Sequence, residues 1–143
     1  MGGAFGWISK SIIGAAIEVH RELGPGLFES VYEACLAYEL EHNGFKVERQ
    51  KTLPVSYKEI ILEQGYRLDL VVQDEVVVEL KSLERIQPVH ESQLLTYLKL
   101  SRYRLGLLIN FNVPVLRHGI RRLVNKLPET ESSALSPSSA PSA

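Results

Sequence analysis

The hydrophobic period changes once along the chain, and that change limits the fold more than any other feature. Before Asn43-Gly44 apolar residues recur at helical spacing; after it they alternate. Ile8, Ile12, Ala15, Ala16, Val19 and Leu23 predict an amphipathic helix over about 7–23. Gly24-Pro25 closes it, because glycine suits the left-handed position after a helix and proline cannot continue one. A second helix is expected from Leu27 to His42, with Phe28, Val31, Tyr32, Cys35, Leu36 and Leu40 as its apolar stripe. Strands are then expected at Lys46–Gln50, Leu53–Tyr57, Ile60–Leu62 (turned at Lys58-Glu59), Tyr66–Val72 and Val76–Leu80. Val76-Val77-Val78 is β-branched throughout, which suits a strand buried on both faces. Pro88 can open a helix reaching Leu100, Arg104–Asn110 reads as a central strand, and Ile120–Val124 as a short edge strand after Pro114. This order predicts an α/β or α+β domain, a central mixed β-sheet flanked by helices, over 1–127. Ser, Pro and Ala dominate beyond it, so 128–143 is expected to be a disordered tail.

Composition excludes several classes. No apolar run approaches the roughly 18 residues of a membrane span, and no charged segment followed by a long apolar one opens the chain. A single cysteine, Cys35, cannot form an internal disulfide, which fits a reducing cytoplasm. It sits on a helix stripe, where core packing is the simpler role. The four histidines (His20, His42, His90, His118) show no zinc-ligand spacing with it, and no glycine-rich phosphate loop is present. The net charge of -1 hides an asymmetry: residues 1–80 hold 7 basic and 13 acidic side chains, residues 81–127 hold 9 basic and 2 acidic. Such a split hints at a polyanion partner, although a solvated basic face would produce it equally well. Arg85, Lys99, Arg102, Arg121 and Arg122 of this half are candidate phosphate contacts, a role that a solvated edge fits equally well.

Chemistry concentrates in the middle strands. Asp69 lies between Leu68 and Leu70 and is expected to point away from the face those leucines bury. Glu79 and Lys81, two apart on the next strand, share a face opposite Val78 and Leu80. Carboxylates presented from adjacent strands suit Mg²⁺, a hard ion that leaves further positions to water and phosphate. A neighbouring lysine can stabilise phosphoryl charge. An ordinary strand edge with an exposed Glu–Lys pair fits the same pattern, and the approach of Asp69 to Glu79 depends on register. Glu29, Tyr32 and Glu33 project from one side of the second helix, where Glu29 also complements the helix dipole. Gln93 and Tyr97 share a face of the third helix.

Taken together these residues resemble the family named for its Gly-x-x-Glu-x-x-Tyr motif, within the PD-(D/E)XK nuclease superfamily. The motif here is Gly26-x-x-Glu29-x-x-Tyr32, followed by Leu36 and Glu39-Leu40. Tyr66-Arg67-Leu68-Asp69-Leu70-Val71 resembles the acidic strand, Val78-Glu79-Leu80-Lys81-Ser82 the Glu-x-Lys strand, and Gln93-Leu94-Leu95-Thr96-Tyr97-Leu98 the Gln-x-x-x-Tyr helix of related exonucleases. The likeness covers about 8–125. It departs at Leu68, where the superfamily name has proline.

The resemblance implies a restriction-endonuclease-like core and Mg²⁺-dependent (or Mn²⁺-dependent) hydrolysis of phosphodiester bonds in DNA or RNA. It also implies roles. Asp69 and Glu79 would be metal ligands, and Glu29 a further acidic group acting directly or through water. Lys81 would stabilise charge at the scissile phosphate, and Gln93 and Tyr97 would orient the metal site, the lysine or the backbone of the substrate. A non-catalytic nucleic-acid-binding or assembly module on the same fold is the competing expectation, and hydrolysis of another phosphate ester a third. Clustered carboxylates favour the enzyme, since alone they repel phosphate. The small size favours the module, with specificity supplied by a partner or a homodimer.

Overall fold

The computed structural model describes residues 3–126; the expected tail over 128–143 lies outside them. Helix α1 (Gly3–Leu23) and helix α2 (Glu29–His42) come first. Strands β1 (Val47–Tyr57), β2 (Ile60–Val72) and β3 (Val76–Lys81) follow, then helix α3 (Pro88–Ser101). Strand β4 (Leu105–Asn110), a 3₁₀ turn (Leu116–Gly119) and strand β5 (Ile120–Val124) complete the fold. The strands form one sheet in chain order. All neighbours are antiparallel except β3 and β4, which run parallel with α3 as the crossover. The sheet is therefore mixed and helix-flanked, an α+β arrangement consistent with a restriction-endonuclease-like fold.

Two apolar layers sandwich the sheet. One packs α1 and α2 (Ile12, Ala16, Leu36, Leu40) on Leu70, Val76, Val78 and Leu107. The other packs α3 (Leu94, Leu98) on Leu68, Val71, Val77 and Leu108. β3 and β4 sit between the two layers and are buried almost throughout, as the valine run predicts. Tyr32 is fully buried and stacks on Phe111 with ring centroids 4.3 Å apart.

Several expectations need correcting. The two strands expected over 46–57 are one strand, and Ile60–Leu62 continues directly into 66–72. An irregularity between Leu53 and Val55 keeps the long β1–β2 ribbon paired. Gly65 sits at that point because a Cβ there would lie 2.3 Å from the Val55 side chain. Helix α2 starts at Glu29 rather than Leu27, and Phe28 and Val31 are exposed instead of joining its apolar stripe. Its buried face is Tyr32, Glu33, Leu36, Ala37 and Leu40. Leu23 is likewise exposed at the end of α1, and Cys35 is half-buried against the core.

Candidate active site

The site arises where the β2–β3 ladder stops. Val72 pairs with Val76, Val71 with Val77 and Leu70 with Val78. The next two residues, Asp69 and Glu79, put carboxylates where ladder bonds would have formed. The Asp69 N–H donates to Glu79 Oε2 at 3.0 Å, and the Leu80 N–H donates to Asp69 Oδ2 at 2.9 Å. A register that brings residue 70 opposite 78 thus decides the approach that sequence left open. Leu68 and Leu70 do not bury on one face, as expected; they enter opposite layers. Strict alternation would place them together, so the strand turns over at Asp69.

Glu79 is only 5% exposed. Burial, and then the charge of Asp69 beside it, push its carboxyl from 4.5 up to about 8; the Asp69 N–H and Lys81 oppose that shift. Burial first, then the two carboxylates, also raise the Tyr97 hydroxyl, while Arg67 pulls it down. The ring of Tyr97 tilts against Tyr66 at 5.0 Å.

Helix α2 supplies the rim. Tyr32 does not share the site with Glu29. Its hydroxyl donates to the Gly24 carbonyl at 2.6 Å and accepts the Leu27 N–H at 3.1 Å. This staples the loop whose two glycines adopt φ of +75° and +100°. The stapled loop brings Glu29 to the segment after β3, where Glu29 Oε2 accepts the Ser82 N–H at 3.3 Å and Ser82 Oγ donates to the Leu27 carbonyl at 2.7 Å. One turn on, Glu33 is buried and accepts from Arg49 Nε (3.1 Å) and Gln50 Nε2 (2.6 Å). Gln50 also reaches Asp69 Oδ1 at 3.4 Å, from a backbone φ of +51° that residues other than glycine rarely adopt.

Glu29, Asp69, Glu79, Lys81, Gln93 and Tyr97 all line one open cleft of about 450 Å³. Thr52, Gln64, Tyr66 and Arg67 join them, all from the β1–β2 ribbon. Arg85, Lys99, Arg102, Arg121 and Arg122 do not line it. Arg85 and Arg121 border a separate smaller cavity, and Arg121 Nε lies 3.5 Å from a Glu91 carboxylate oxygen. The basic half of the sequence therefore enters the cleft through Lys81, and Arg67 of the acidic half joins it.

A family model of the PD-(D/E)XK nuclease superfamily matches residues 7–123. The chain belongs to that superfamily. Neither the curated proteins nor the solved structures give a match. PD-(D/E)XK nucleases generally use divalent metals, and the donors here fit one. Two adjacent hard oxygen donors, one buried at the cost of a displaced pKa, suit a cation that accepts one or two carboxylates and keeps several waters. Among the described residues no three His, Cys, Asp or Glu side chains gather closely enough to cage a metal by themselves.

Sequence reasoning missed Arg67, Gln50 and Asn110 of this PD-(D/E)XK domain, and placed Glu33 on the side of α2 that bears Glu29 without finding its partners Arg49 and Gln50. Asn110 is buried at the end of β4; its Oδ1 accepts the Leu83 N–H at 2.8 Å and its Nδ2 donates to the Leu83 carbonyl at 2.9 Å. That pair fixes the loop leaving Lys81. Arg67 stands two residues before Asp69 in the acidic strand and could have been noticed there. Gln50 carried no local signal, since neither its φ nor its partner is written in nearby residues.

Proposed function

We propose that the chain is a divalent-metal-dependent nuclease of the Gly-x-x-Glu-x-x-Tyr family, cytoplasmic, with its nuclease domain over 1–127. The observation carrying this is the pair of carboxylates at the broken β2–β3 ladder, with Lys81 in the same cleft. A buried glutamate beside an aspartate is unfavourable unless a proton or a cation neutralises it.

Asp69 and Glu79 would hold Mg²⁺ or Mn²⁺, with Glu29 contributing directly or through water from the rim. When bound, the ion supplies an activated water and neutralises charge on the phosphate and leaving oxygen of DNA or RNA. The chain's own groups do the rest. Lys81 and Arg67 bring positive charge to the non-bridging oxygens of the scissile phosphate. Gln93 and Tyr97, one turn apart on α3, orient the substrate backbone. Glu33, through Gln50, keeps the Asp69 carboxylate aimed.

The test is cleavage of a panel of single- and double-stranded DNA and RNA with Mg²⁺ or Mn²⁺. Wild type cleaves at least one substrate, and Lys81→Ala and Asp69→Asn remove the activity. Equal residual cleavage by all three proteins would refute the enzyme. Salt-sensitive binding without cleavage would favour a binding module on this fold.

A further inference from the structure

Phe28 stands out among the large apolar residues: it is 82% exposed, one residue before Glu29. It contributes nothing to the α2 stripe, so folding does not explain it. It borders a second open cleft of about 550 Å³, formed by 26–30 with Ser82 and Asn112. Glu29 lines both this cleft and the candidate active site, so the two are neighbours across one side chain.

The chemistry of the two clefts differs. The first holds Lys81 and Arg67; among the described residues, the second is lined by no lysine or arginine. A phosphate would find no cation there, and Glu29 at its border would repel it. The Phe28 ring face, the Ser30 hydroxyl and the Asn112 amide suit a flat, uncharged heterocycle with hydrogen-bonding edges; the Ser82 hydroxyl already donates to the Leu27 carbonyl, and Asn112 Nδ2 gives one proton to the Leu83 carbonyl. A nucleotide strand whose phosphate occupies the first cleft carries its adjacent base past Glu29 toward such a surface.

We propose that Phe28 is a stacking platform for an unpaired base next to the scissile phosphate, so that the substrate is single-stranded or frayed at the point of cleavage. This rests on the nuclease function proposed above. Inside a duplex both faces of a base are already stacked, and using Phe28 would require unstacking it. Base–aromatic stacking tolerates any sequence, because every base has a π-face.

The test uses the full chain carrying Lys81→Ala, which keeps the carboxylates and prevents cleavage. Binding of labelled oligothymidylate and of a blunt duplex is followed by fluorescence anisotropy in Mg²⁺. Adding Phe28→Ala weakens single-strand binding roughly tenfold, within the usual range for one stacked base. Duplex binding and Tm stay unchanged, and Phe28→Trp restores the affinity. If Phe28→Ala binds the single strand as tightly as its parent, or loses both substrates equally, the stacking role is wrong while the nuclease function stands. If neither this parent nor the wild type, held in Ca²⁺ in place of Mg²⁺, binds either nucleic acid, the nuclease function falls and the stacking role falls with it. If Phe28→Ala instead converts a dimer to a monomer in sedimentation, the ring belongs to self-association and the stacking role is overturned.

Discussion

The two ends of the β2–β3 hairpin lie a few residues apart and obey opposite rules. At the turn end, Val71 and Val72 pair with Val77 and Val76 in register, and all four side chains are fully buried. At the open end, Asp69 and Glu79 interrupt the ladder, and their carboxylates accept N–H groups that a strand partner would have taken. Apolar burial at one end stabilises by roughly 25 cal/mol per Å². At the other, a buried carboxylate is held near a like charge and its pKa moves to about 8. The regular end makes the irregular one affordable: the helices packed on both sheet faces fix the strands that hold Asp69 and Glu79 together. A site that opposes folding survives because its supporting layers do not.

The comparison can be broken most directly at the open end. Lys81→Ala or Asp69→Asn should lower metal-dependent cleavage by roughly a hundredfold or more, with little change in Tm; a lost activity that merely follows unfolding in circular dichroism would erase the distinction. At the regular end the effect inverts. Leu70→Ala, at the last regular pair, should cost roughly 2–5 kcal/mol in urea unfolding and reduce activity only as far as the chain unfolds.

The pH dependence sharpens the contrast further. Between Glu79's ordinary value of 4.5 and its native value of about 8, the folded chain holds a proton that the unfolded chain has released. Metal-free stability should therefore fall as pH rises through that window and level off above it. Glu79→Gln should flatten the slope in thermal melts. The smallest effect is expected at Gln50. Gln50→Gly relieves its φ of +51° while adding chain entropy to the unfolded state, so stability should stay within about 1 kcal/mol. Loss of the amide that touches Asp69 should still weaken Mn²⁺ binding severalfold, because groups that orient a ligand tune its affinity.

Much of this was legible in the sequence, for identifiable reasons. Val76-Val77-Val78 announces a strand buried on both faces, Gly24-Pro25 a helix end, and Pro88 a helix start; each is a local preference that the fold did not need to override. Glu29, Asp69, Glu79, Lys81, Gln93 and Tyr97 were readable as a set, and the structure gathers them in one cleft. What could not be read depends on register and on turns of the chain. The pleat inversion at Asp69, the partnership of Gln50 with Glu33 seventeen residues away, and the exposure of Phe28 all follow from tertiary packing. The charge split did not locate the cations of the cleft, for a related reason: position along the chain does not say which basic side chains turn toward it, and Arg67 came from the acidic half.

Calorimetric titration of Mn²⁺ into the wild type and Asp69→Asn tests the central claim most directly. Saturable binding by the wild type that disappears in Asp69→Asn is the predicted result. Identical isotherms for the two proteins would show that the opened end of the hairpin is not a metal site.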